Sequence, residues 1–466
     1  MAPPVHPKRI QRLNNHELGK GEYFLYWMQQ SQRADYNHAL EYTVQQANSR
    51  RQAVLVGFGL TDEYPEANLR HYTFMLEGLQ ETQSSLAKRG IKMVVQLGFP
   101  VDVALALGRK ASLIVCDRGY LSHQKEWRAR VARSSSCGVV QVESDSIVPL
   151  EVVSDKSEYA ARTIRPKIHK HLSEHLIPFN SSEVKKSSLD LKINSLDLKQ
   201  IGTVLKNLSL DRSVPPVTSF FKGGSSQGKA SFASFIKQRF QDYVENRNQP
   251  QSDDISHMSP YLHFGQLSPL YLALQTKAAA GRLKEAKEAY LEELIVRREL
   301  ALNFVTYNQN YQSFACLPQW AQKTLKQHQK DRREHVYSRR QLESAATHDE
   351  YWNAAMREMK FTGFMHNYMR MYWGKKILQW SNTPQHAFRT TLALNNKYFL
   401  DGRDPNSYAG VAWVFGMHDR AWFERPIFGK VRYMAAAGLE RKCDIRGYVN
   451  KVDELSNKAR ESLKSI

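Results

Sequence analysis

Four groups of residues have types and spacings that could do chemistry. In LEELIVRREL, Leu291 to Leu300, Glu293 and Arg297 stand four apart, which on a helix places a carboxylate and a guanidinium on one face. As an isolated pair they would be an ordinary surface ion pair worth little. Trp373 and Trp380 stand seven apart, hence on one helix face and roughly 10 Å apart along the axis, a separation that suits electron hopping between indoles. Trp352 joins them as a third indole; the competing reading of all three is an aromatic core stripe. SPYLHFGQLS, Ser259 to Ser268, opens as a helix with Ser as cap and Pro at the first helical position. Ser252, Ser256 and His257 lie just upstream. Hydroxyls and free N–H groups at a helix start suit a pyrophosphate, and a plain capped helix is the alternative. Lastly, LNNKYFLDGRDPNSYAGVAWVFGMHDRAW, Leu394 to Trp422, is rich in Gly, Pro, Asn and Asp, a structured loop region of the kind that holds ligands. Its Trp413 and Trp422 could offer flat faces to extruded bases, or simply pack the loops.

The elements that must position these groups fall into two patterns. Short apolar runs at 23–27, 53–58, 93–97, 112–116 and 139–143 alternate with amphipathic stretches, and Gly90 is placed to end one of those helices. Strands alternating with helices imply βαβ units and a parallel sheet. No GxGxxG follows the first strand, so ordinary dinucleotide binding is not indicated. Residues 151–228 are rich in Ser, Lys and Asp with weak periodicity and read as a long connection. Its GGSSQGK lacks the strand and spacing of a phosphate loop and reads as a flexible linker. From about Ala230 helical patterns dominate. The expected organisation is a flexible arm (1–21), an α/β domain with a parallel, Rossmann-like sheet (22–150), a linker (151–228) and an all-α domain (229–466).

Composition narrows the partners. Lys and Arg total 66 against 46 for Asp and Glu, a formal net charge of +20, and the resulting field attracts polyanions: nucleic acid first, an anionic membrane surface second. Hydrophobic residues at 42% exclude a disordered chain. The cysteines, Cys116, Cys137, Cys316 and Cys443, are scattered and form no CxxC, which argues against a zinc site or a disulfide scaffold. The first residues lack an apolar core for a secretory signal, and no run is apolar enough to span a bilayer. A soluble intracellular protein is expected, cytoplasmic in a prokaryote, nuclear or organellar in a eukaryote.

Together EELIVRREL, SPYLHFGQ, MRMYWGKKILQW, LDGRDPNSYAG, HDRAW and FGKVRYM, with YWMQQSQRADYNHAL near the start, resemble class II photolyases of the photolyase/cryptochrome superfamily, in order and spacing across roughly residues 22–450. The resemblance implies that the all-α domain binds FAD, working as FADH⁻, and that light drives an electron to a flipped-out cyclobutane pyrimidine dimer in DNA, as a carbon–carbon lyase acting as a monomer. It implies that Tyr243, Ile255, Ser256, His257, Met258 and Ser259 line the FAD phosphate and ribose. Arg370 and Asp401 pair against the isoalloxazine, and Asn395 faces flavin N5. Glu293 hydrogen-bonds the flipped bases, with Met371, Trp413 and Trp422 as an apolar clamp, and Arg247 and Arg297 meet the lesion or its phosphates. Trp373 stands nearest the flavin, Trp352 in the middle and Trp380 toward solvent. No protein residue need hold a metal. An antenna chromophore of deazaflavin or folate type belongs in the α/β domain, with no motif to identify it. Two departures from the family pattern stand out: a one-residue shortening before His418, expected to shift the lesion-facing loop, and WNAAMREM after Trp352, expected to change packing. The alternatives are a non-repairing, cryptochrome-like blue-light flavoprotein and a cofactor-free basic DNA-binding protein.

Overall fold

The computed structural model describes residues 4–281 and 283–464. All five apolar runs become parallel strands. With one further strand they build a six-stranded sheet: β1 Ile10–Arg12, β2 Tyr23–Trp27, β3 Ala53–Leu60, β4 Lys92–Leu97, β5 Ala111–Asp117 and β6 Gly138–Val142, in the order β1-β6-β5-β2-β3-β4. Both faces are covered, so β2, β3, β5 and β6 are buried along their whole length rather than alternating. Phe24 and Tyr26 pack with Leu40, Val44, Leu76 and Leu79 of the helices His38–Ser49 and Leu69–Lys88. Tyr23, Leu25 and Trp27 face Val101, Leu107, Trp127 and Val131 of the helices Pro100–Gly108 and Ser122–Ser134.

The central strand β2 lies between β3 and β5, so the chain reverses its direction of growth there. At that switch point the buried Asp117 carboxylate accepts the Ser31 N–H (2.7 Å), the Gln30 N–H (3.1 Å) and the Tyr26 hydroxyl (3.0 Å), fixing the turn that leaves β2. A crevice outside the carboxyl ends of the strands at such a point is where ligands of doubly wound sheets bind. Here it is lined by Gln29, Phe58, Leu60, Tyr64 and Trp127 and closed by His263 and Arg403 of the helical part.

Two boundaries differ from expectation. The arm is structured: β1 pairs antiparallel with Val140–Val142, and the buried Arg9 donates to the carbonyls of Glu143 (3.1 Å), Ser146 (3.0 Å) and Ile147. A three-residue edge strand carries too little alternation to be visible in sequence. Residues 1–3 of the expected arm lie outside the described residues. The expected linker is also ordered. Its helix Ala161–His175 buries Ile164 and Ile168, and its serines protect the β4 edge, Ser188 Oγ accepting from Lys92 N–H (2.7 Å) and Ser195 Oγ from Val95 N–H (3.0 Å). Hydroxyl pairing of an edge leaves no hydrophobic period to read. GGSSQGK is a tight junction rather than a flexible one. A Cβ on Gly223 would sit 2.1 Å from the Phe74 carbonyl oxygen, and the next helix, Ser225–Gln238, begins two residues on.

From Ser225 onward every regular element among the described residues is helical. One core gathers Trp352, Trp373, Trp380, Phe388 and Phe399; a second joins Phe232, Phe235, Tyr261 and Leu294 to Phe74, Ile147 and Val148 of the α/β layer. Gly265 marks where the two halves meet. Its φ is +64°, and a Cβ there would lie 1.9 Å from the Gln30 carbonyl oxygen. Its own carbonyl accepts from Arg33 (3.0 Å), which also pairs with Asp145 (2.7 Å). Gly265→Ala therefore combines a left-handed backbone penalty with overpacking and is expected to lower stability by roughly 3 kcal/mol, read from the midpoint of a denaturant titration at unchanged slope.

Candidate active site

Glu292–Arg297 form a π-helical turn between the helices Lys284–Leu291 and Arg298–Tyr307. Such wider turns inside helices are rare and frequent at functional sites. The wider turn changes who meets whom. Arg297 reaches back five residues to Glu292 (3.1 Å), which also pairs with Arg165 (2.7 Å). The expected Glu293–Arg297 pairing is thus corrected: the extra residue per turn rotates Glu293 away, and its carboxylate meets Arg247 at 3.2 Å. Arg247 in turn lies over the Tyr243 ring at 5.9 Å. Tyr243, Arg247 and Glu293, drawn from separate motifs, so form one cluster. Arg297 is exposed at its margin.

The residues assigned to the phosphate side adjoin this cluster. Tyr290, packed on Tyr243 at 5.6 Å, donates to Ser256 Oγ (3.1 Å). His257 has a left-handed backbone (φ +56°), uncommon in a non-glycine residue. Its Nε2 meets Asp253 at 2.8 Å. Partial burial opposes the Asp253 charge, yet the His257 hydrogen bond and the charges of His257, Lys451 and Arg239 hold its carboxyl below the ordinary value. Met258 is buried and Ser259 opens the helix Ser259–His263; Ile255 bridges the turn through a 2.8 Å bond to the Asp253 carbonyl. Several polar atoms here are buried without a protein partner: His257 Nδ1, His366 Nε2 and Gln251 Oε1. Burial, together with the charges of Lys451 and His257, pushes His366 down to about 3. With its Nδ1 accepting the Tyr368 N–H, His366 is free to donate from the unpartnered Nε2, and beside Lys451 and Arg239 such a buried donor fits the FAD phosphates.

Arg370 binds both Asp401 oxygens (3.1 and 3.2 Å) and the Met365 carbonyl (3.0 Å). Its guanidinium lies 3.9 Å over Phe399 and 5.6 Å over Phe364, whose ring contacts His257 at 4.7 Å. Asn395, buried, donates to Asn396 (3.0 Å), and Asn396 holds Glu66 (2.6 Å) and the Arg403 N–H (3.1 Å). Phe399 is also 6.3 Å from Trp373, whose Nε1 has no protein partner. Trp352 contacts both of the other tryptophans. Its Nε1 donates to the Trp373 carbonyl (2.9 Å), and its ring is 5.5 Å from Trp380. One position is corrected. Trp380 does not face solvent: it is 2% exposed, covered by Tyr337 and His348 at 5.3 Å each. It is the final residue of its helix, and the segment around Tyr337 folds back over it, so the surface end is made by Tyr337 and His348.

Met371 is half-buried beside Arg370, and Trp413 is half-buried at the end of the helix Pro405–Val414. Trp422 is 37% exposed, with Arg420 and Arg432 over its ring at 5.1 and 5.0 Å. Next to it Phe423 is 90% exposed. The shortened stretch before His418 is closed by Gly416 (φ +107°) and His418 (φ +58°). His418 Nδ1 bonds the Tyr159 carbonyl at 2.8 Å, and Tyr159 donates to the Asp419 carbonyl at 2.8 Å. WNAAMREM packs Met356 and Met359 into the core as a regular helix. Sequence reasoning missed Asp253, His366, Phe399 and Lys451. His366, Phe399 and Lys451 gain meaning only by meeting residues far away in the chain, whereas Asp253 stands four before His257, a local spacing that could have marked it.

The architecture matches that of photolyases and cryptochromes. A solved class III photolyase from Agrobacterium tumefaciens superposes with a TM-score of 0.73 at 17% identity, covering 93% of this chain and 87% of that one. A Synechocystis cryptochrome gives 0.67 at 16% identity, covering 94% and 88%. The DNA photolyase family model matches residues 24–185. Over almost the full length, the chain is 49% identical to the deoxyribodipyrimidine photo-lyase of Methanothermobacter thermautotrophicus, covering 96% of this chain and 98% of that protein. It is 39% identical to the one from Potorous tridactylus, covering 94% and 82%. The chain belongs to the DNA photolyase family.

Proposed function

We propose that this protein is a class II-type deoxyribodipyrimidine photo-lyase that repairs cyclobutane pyrimidine dimers in DNA under light. The reading is carried by one observation: a chain of contacts runs from Arg247–Glu293 through Tyr243 and Tyr290 to Ser256, from the neighbouring His257 through Phe364 to the Arg370–Asp401 pair, and on through Phe399 to Trp373, Trp352 and Trp380. That combination unites a polyanion cradle, a polar wall and an electron path. Bound reduced FAD would supply the light-driven electron that opens the cyclobutane ring.

The chain's own residues do the rest. Lys451, His257 and Arg239, gathered around Asp253, hold the phosphates. Arg370 and Asp401 present a fixed dipole, poorly screened at a half-buried site, to whatever ring lies against them. Asn395 is held by Asn396, so its amide is oriented before a ligand arrives. Glu293 and Arg247 offer a carboxylate and a guanidinium at the mouth, where extruded bases need hydrogen-bond partners. Met371, Trp413 and Trp422 give those bases an apolar seat. Basic residues around Trp422 meet the backbone. The crevice at the sheet switch point, with Tyr64, Trp127 and Phe58 as walls, suits a flat antenna chromophore.

Chemically reduced, FAD-loaded protein is expected to restore thymines in dimer-containing DNA under illumination and not in the dark. Its affinity should fall about 10³-fold between low and moderate salt if about six phosphates are met. Protein that stays colourless after FAD reconstitution, or that holds FAD and leaves dimers intact, overturns the reading. Among the described residues, no helix is long and apolar enough to cross a membrane.

A further inference from the structure

At the C-terminal end of the helix whose Arg165 pairs with Glu292, two histidines and a carboxylate meet without an assigned task. His6 precedes the short turn Pro7–Arg9 that leads into β1; Glu174 and His175 end the helix Ala161–His175. One ligand atom from each of the three lies within 4.8 Å of the others. The His6 and His175 rings meet edge to face at 4.6 Å. His175 is 3% exposed, and its Nε2 is buried without a hydrogen-bond partner. A buried imidazole nitrogen left unsatisfied costs stability unless something occupies it. His6 uses Nδ1 to accept the Lys8 N–H (3.3 Å), which leaves Nε2 as its free ligand atom.

We propose that His6, Glu174 and His175 bind a divalent cation of the Zn²⁺ type. The donor set, two imidazoles and one carboxylate, suits a borderline cation and leaves an open position for water. The surroundings favour it in two ways. The last carbonyls of a fifteen-residue helix point toward the site with their negative end. His171, one turn back, approaches Glu174 at 3.5 Å and can orient its carboxylate. The opposing charge is Arg9, which already donates to three backbone carbonyls. Such an ion would clip the start of the chain, and with it the edge strand β1, to a helix end far away in the sequence. The scattered cysteines exclude a thiolate site; this set exists only because the fold brings the chain's beginning to that helix end.

The test is calorimetric titration of the chelator-treated, FAD-loaded protein with Zn²⁺ alone. A saturable site for a single ion is expected, with a higher thermal midpoint when it is filled. His6→Ala and Glu174→Gln, both on accessible side chains, should each weaken binding about tenfold or more and remove the thermal shift, with flavin content and repair unchanged. His175→Ala should do the same where it folds. Absence of saturable binding, or binding equal in His6→Ala, Glu174→Gln and wild type (an adventitious ion only), overturns the proposal.

Discussion

Glu293→Ala is expected to cut light-driven dimer repair by on the order of 10²-fold, the cost of removing one preorganised polar group from a site where charge develops. The size follows from position. Glu293 sits in the π-helical turn with its carboxylate against Arg247, at the edge of the cluster that contains Tyr243. Its ion-pair partner Arg247 is partly exposed, so removal leaves no buried orphan charge and should cost little stability. FAD content and affinity for undamaged DNA should stay within a few-fold of wild type. Glu293→Gln keeps the size and one acceptor and should lose clearly less than the alanine variant. Repair yield per absorbed photon, measured on reduced protein with a dimer-containing oligonucleotide, decides the matter. Wild-type yield in Glu293→Ala would show that the lesion sits elsewhere.

The second large effect concerns the indoles. Trp373→Phe is expected to block light-driven reduction of oxidised, FAD-loaded protein almost completely, while chemically reduced protein keeps most of its repair. Trp373 is the indole joined to the Arg370–Asp401 region through Phe399, and Trp352 follows through its bond to the Trp373 carbonyl. Phenylalanine keeps that backbone acceptor and much of the packing, but an isolated benzene ring is too hard to oxidise to relay an electron. Decay of the oxidised-flavin absorbance under illumination with an external reductant reads the relay, and the repair assay on pre-reduced protein reads the other property. Photoreduction at the wild-type rate in Trp373→Phe would exclude this path.

Much of the scaffold is legible in the order of the amino acids. The strands β2, β3 and β5 are buried, largely apolar runs because both sheet faces are covered, and this pattern survives in one dimension. Gly90 marks a helix end and the Ser-Pro at Ser259 a helix start, although Met258 rather than Ser259 takes the cap position and no side-chain cap bond forms there. Edge strand β1 and the serine-rich segment along β4 are not legible. Their stability comes from backbone and hydroxyl pairing with a neighbour already in place. The partner of Glu293 is hidden because i,i+4 spacing presumes an α-helix, and the extra residue in the turn sends Arg297 to Glu292 instead. The family resemblance points Trp380 toward solvent, but Tyr337 and His348 arrive from another segment to cover it.

The amino-acid order alone thus determined the layered architecture, the positive field and the identity of the redox-capable and charged side chains, since each depends on composition or on neighbours within a few residues. The tertiary structure alone decided which of them touch: Arg247 with Glu293, His257 with Phe364, Arg370 with Phe399, His6 with His175. The reason is physical. A contact between distant residues is selected by how whole elements pack, and a wider helical turn or a covered edge alters it without any change in local spacing.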